Sequence, residues 1–148
     1  MYHVVRSQHR SYAFLVVVLF SAALLSLLGG TGGRFTANQF KIAVRDIHSD
    51  IETARLTIEQ ARSENVTHRY TTEEIRSVLD DLSRTLREIQ LAQADESLEP
   101  NLREAGRIGE DAADILRRIA NAPGDESPAL DSRLTELAAA ARELADRP

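Results

Sequence analysis

Two histidines, His48 and His68, are the residues after the first 33 with the widest choice of chemistry, and neither has the company that chemistry needs. A di-iron bundle requires two Glu-x-x-His pairs and further inward carboxylates. Here Glu64 and His68 stand four apart and alone. A haem in a helical bundle needs facing His or Met ligands, but the one methionine is Met1 and both histidines fall on or near a single predicted helix. The absence of cysteine removes disulfides, thiolate metal sites and cysteine nucleophiles together. Serine, histidine and aspartate occur without a Gly-x-Ser-x-Gly elbow, and the Gly-rich GGTGG of residues 29–33 follows an apolar run, whereas a phosphate loop follows a strand. Asn65, Val66 and Thr67 match a glycosylation triplet, a pattern common by chance. The residues therefore point to no catalytic group, no cofactor-binding group and no metal ligand, and to a non-enzymatic protein.

What must carry the function is then the arrangement of the elements, and the first of these is apolar. Residues 12–28, YAFLVVVLFSAALLSLL, contain no charge. At ~1.5 Å per residue, residues 11–30 form a helix of about 30 Å, the thickness of the hydrocarbon core of a bilayer. The expectation is a short basic tail over 1–11, a transmembrane signal anchor over 12–30 and a Gly-rich hinge over 31–35. A signal peptide cleaved near residues 30–33, giving a secreted protein, is the alternative. Arg6 and Arg10 precede the run and Arg34, Lys41 and Arg45 follow it, so the positive charge is nearly balanced. A basic tail directly before an apolar run suits an export signal, which puts the N-terminus in the cytoplasm and the remainder outside it, in the periplasm or at the cell surface. Ala22, Ser26 and Gly30 recur every four residues and would give the span a small-residue packing face.

From Arg34 onward the chain has 16 basic and 23 acidic residues. A net charge of that sign argues against nucleic acid as a partner and against adhesion of this region to anionic lipid. Apolar residues recur at helical spacing throughout. Phe40, Val44, Ile47, Ile51, Ala54, Ile58 and Ala61 step by fours and threes, the heptad spacing of a packed or coiled-coil seam. Similar seams run through Ile75, Leu79, Leu82, Leu86 and Ile89, through Leu102, Ala105, Gly109, Ala112, Leu116 and Ile119, and through Leu130, Leu134, Leu137, Ala141 and Leu144. The spacing predicts helices over about 36–66, 72–95, 100–121 and 128–146. Thr71 with Glu74 has capping-box spacing for the second helix, and Pro100 suits the start of the third. The first helix, at about 31 residues, is expected to project beyond the others. Short linkers favour antiparallel neighbours, so the fold class is all-α: a span followed by an up-down antiparallel bundle of three to four helices.

Two surface features follow from the register. Asp50 and Glu64 fall on one flank of the first seam and Arg55 and Arg69 on the other, which in a parallel homodimer would set Asp50 against Arg55 and Glu64 against Arg69 of the second copy. Ile42 and Leu56 lie outside the seam on one outer stripe, with Leu91 off the seam of the second helix, and form a candidate docking surface for a protein partner. A polar-lined gap at Asn65, Gln93, Ala105 and Gly109 would instead suit a small ligand held between helices, as in a sensor. In layout alone, a span followed by a helical bundle resembles the sensing domains of bacterial chemoreceptors, and its length and anchor are similar to those of phage inner-membrane spanins; no residue motif accompanies either likeness. The composition and patterning point to a membrane-anchored accessory subunit of a membrane or envelope complex.

Overall fold

The computed structural model describes residues 34–63, 66–121 and 128–147. The tail, the span with Ala22, Ser26 and Gly30, and the greater part of the hinge lie outside the described residues, as do Glu64 and Asn65. Four helices make up the rest: α1 Ala37–Arg62, α2 His68–Leu91, α3 Glu99–Asn121 and α4 Pro128–Asp146. Among the described residues there is no strand, only an isolated bridge between Phe35 and Ala94. The described part of the chain is all-α, a four-helix bundle.

Local chemistry fixes the ends. Thr36 is extended and caps α1: its Oγ1 accepts from the Gln39 amide at 3.2 Å, while Gln39 Oε1 accepts from the Thr36 amide at 2.8 Å. This reciprocal pair satisfies two of the amides a helix start leaves open. At the other end Ser63 donates to the Glu59 carbonyl from both its amide and its hydroxyl, at 3.1 and 3.0 Å. The helix therefore stops at Arg62 and not near residue 66, has 26 residues, and is only two longer than α2. The expected overhang disappears with it.

The start of α2 also differs from expectation, at His68 where the sequence suggested residue 72. Thr67 takes the cap, its Oγ1 accepting from the Tyr70 amide at 3.3 Å. Thr71 lies one turn inside, buried, with its hydroxyl donating to the Thr67 carbonyl. Both threonines have cap chemistry, but capping at Thr67 adds a hydrogen-bonded turn and lets the Thr71 methyl join Ile75 on the core face. At the far end α2 stops at Leu91, four residues before the expected limit, because residues 93–95 are drawn into contacts with the segment leading into α1.

The helices pack in cyclic order. α1 lies between α2 and α4, α3 closes the ring between the same two, and the backbones of α1 and α3 approach across the short diagonal while those of α2 and α4 stay farther apart. Start-to-end contacts make neighbours antiparallel: Phe35 reaches Gln93, Arg62 reaches Asp131 and Arg147 reaches Glu104. The predicted seams all face inward. Ile47, Ile51, Ile58, Ile75, Leu82, Ile108, Leu116, Leu134 and Leu144 are almost wholly buried in one apolar core, and the polar residues buried with them are Thr57, Thr71 and Thr85. Each of these threonines turns its hydroxyl back to a carbonyl four residues earlier, so none brings an open polar group inside.

Candidate docking surfaces

The residues with potential for chemistry stay apart. His48 is half-buried on α1 and His68 is exposed at the first position of α2. Among the described residues no group of three or more His, Asp or Glu side chains gathers as a metal site would require. Two of the residues named for a ligand gap between helices, Ala105 and Gly109, have no open space beside them. Ala105 is buried, and a Cβ built on Gly109 would sit 2.7 Å from Leu86 Cδ2, so Leu86 already occupies the space above that glycine. Gln93 faces solvent.

The flanks of α1 find their partners within the chain. Arg55 hydrogen-bonds both Glu52 carboxylate oxygens at 3.0 and 3.1 Å and sets its Nε 3.7 Å from Asp131 of α4, whose other oxygen accepts from Arg62 at 3.0 Å. Asp50 lies on the opposite flank, toward α2. Burial pushes its carboxyl up to about 6, the Asp81 and Asp46 carboxylates push the same way, and Arg84 offsets them in part. Within the chain, then, Arg55 faces α4 and Asp50 faces α2, and the seam between them is filled by the bundle's own helices. Arg69 is exposed on the first turn of α2.

Ile42 and Leu56 stand on the outer face of α1 at 51% and 57% exposure, two heptads or about 21 Å apart. They are separate apolar points with Ser49 between them. Among the described residues Leu91, at the end of α2, is the most exposed large apolar side chain at 81%, and Tyr70 is also exposed.

Sequence patterning gave no sign of a groove between α2 and α3. An open recess of about 520 Å³ runs over Ile89, Ala92, Leu102 and Gly106, with Gln90, Arg103, Arg107 and Glu110 along its rim. It adjoins a second recess of about 430 Å³ that shares Gln90 and Glu110 and continues to Arg87 and Arg117. Gly106 creates part of this space, since a Cβ there would meet nothing within 4 Å. The two glycines of α3, three residues apart, have opposite uses: Gly109 admits Leu86 and draws the helices together, whereas Gly106 leaves the surface hollow. The rim charges are largely matched along the helix, Arg103 with Glu99, Arg107 with Asp111 and Arg117 with Asp114.

No family model, no curated protein and no solved structure matches this chain. Among the described residues no helix is long and apolar enough to cross a membrane.

Proposed function

We propose that this chain is a non-enzymatic docking module, anchored by the apolar run of residues 12–28 and presenting its bundle outside the cytoplasm to a protein of the same membrane or envelope. The reading is supported by where open apolar surface occurs. Among the described residues the interior is apolar, while a groove floored by Ala92 and Gly106 over the buried Ile89 and Leu102, with a charge-balanced rim, opens on the outside between α2 and α3. Such a surface suits the side of another protein better than a reacting small molecule, since its polar groups spread along the rim and do not converge. Ile42 and Leu56 offer a second, thinner contact on the far side of α1. The run's uncharged length is what motivates the anchor, and the short basic tail before it motivates the orientation.

Filling the groove tests this directly. Gly106→Leu projects into open space, so it should leave the thermal melt unchanged or raise it while shifting the protein, in gently solubilised membranes, from a larger complex to the free form. Ile42→Arg with Leu56→Arg, compared in the same gel, asks whether the α1 stripe contributes. A protein that migrates as the free form before any substitution would contradict the proposal.

A further inference from the structure

Where the chain enters the bundle, three consecutive residues are fixed in three different ways. Arg34 places its guanidinium 2.7 Å from Asp95. Phe35 donates its amide to the Gln93 carbonyl at 2.7 Å, pairs with Ala94 in an isolated bridge and packs its ring against the core. Thr36 then caps α1. The segment leading into α1 is therefore fastened across the linker between α2 and α3. That linker is also one end of the groove, because Ala92 and Glu99 line it. Asp95 joins the two: its side chain holds Arg34, while its backbone carbonyl accepts from the Leu98 amide at 2.8 Å and the Glu99 amide at 3.3 Å, forming the turn that starts α3. Leu98 in turn accepts from Leu102, which lines the groove.

We propose that residues 34–36 are a strap coupling the chain that enters the bundle to the α2–α3 groove through Asp95. Tension or reorientation applied before Arg34 acts first on residues 93–95, then on the first turn of α3, and so on the width of the groove. By reciprocity, anything that binds the groove better in one state of the linker biases the strap by the same free energy. The coupling is internal to the bundle and stands whether or not the docking reading does; it rests on that reading only for what enters the groove.

The test uses the full chain, purified in detergent, with no partner present. The protein lacks cysteine, so Gly106→Cys supplies a single thiol in the groove, at a position where a side chain meets no neighbour. Arg34→Glu sets two exposed carboxylates against each other without touching the core. The strap predicts faster hydrogen exchange at the Phe35, Leu98 and Glu99 amides, by about two- to fivefold as an exposed ion pair supports, together with a changed maleimide rate at position 106. The amide of Leu137, in the middle of α4, should keep its rate, and Arg34→Glu with Asp95→Arg should restore all of these values. Faster exchange at Phe35 alone, with Leu98, Glu99 and the thiol unchanged, would overturn the coupling. Equal acceleration at Leu137 would overturn it too, by reducing the strap to an ordinary contribution to stability.

Discussion

The two flanks of α1 are built from the same kinds of residue and behave oppositely. On the side facing α4, Arg55 and Arg62 converge on Asp131, with Glu52 supporting Arg55, so opposite charges meet at a half-buried edge. On the side facing α2, burial and the carboxylates of Asp81 and Asp46 all raise the Asp50 carboxyl, and Arg84 offsets them only in part. One edge is held by its charges and the other tolerates them. The bundle survives this because the seam between the edges is apolar and filled, and each buried side chain contributes more than the edge charges remove.

The comparison can be broken most forcefully from beneath. Leu82 in α2 and Leu137 in α4 are both buried in the common core. Truncating either to Ala should cost about 2–5 kcal/mol in chemical denaturation, and equal costs would show that the interior treats both sides alike. Next in size is Asp131→Asn, which strips the carboxylate from two arginines and leaves Arg55 Nε, already buried without a hydrogen-bond partner, with less compensation. A loss of about 1–2 kcal/mol is expected, read from the same denaturation curves.

Asp50→Asn should act with the opposite sign. Its carboxyl titrates at about 6 in the fold, against 3.8 for an unperturbed aspartate. The folded state therefore holds a proton that the unfolded chain has released, and stability present below about pH 4 is lost as the pH rises through 6. Removing the charge should raise stability at pH 7 by about 1 kcal/mol, after allowance for solvent screening, and flatten the pH dependence between 4 and 6. Smallest is Leu56→Ala on the outer stripe, where a melt should move by less than about 0.5 kcal/mol; a large loss would mean that Leu56 is covered in solution.

Much of the fold was legible because seam spacing alone says which face of each helix is apolar: Leu82, Leu116 and Leu137 lie where the heptads put them. Helix limits were less so. Thr67 and Thr71 carry the same cap chemistry, and only the packing of Thr71 beside Ile75 decides between them. The registers of Asp50 and Arg55 were readable as opposite flanks, but which helix each flank would meet depends on the cyclic order of the bundle. The groove left no trace in the patterning, for part of it is the empty space beside a glycine, and a glycine at position 106 looks the same in sequence as the one at 109. The strap was hidden for a similar reason, since Arg34 and Asp95 are 61 residues apart.

The claim on which the functional reading depends most is that residues 12–28 remain part of the working protein. Membranes from cells making the full chain can be washed at alkaline pH and the retained chain weighed intact by mass spectrometry. Retention with a mass that includes the apolar run is the predicted result. A chain released by the wash, with its first residue between Gly30 and Asn38, would contradict it.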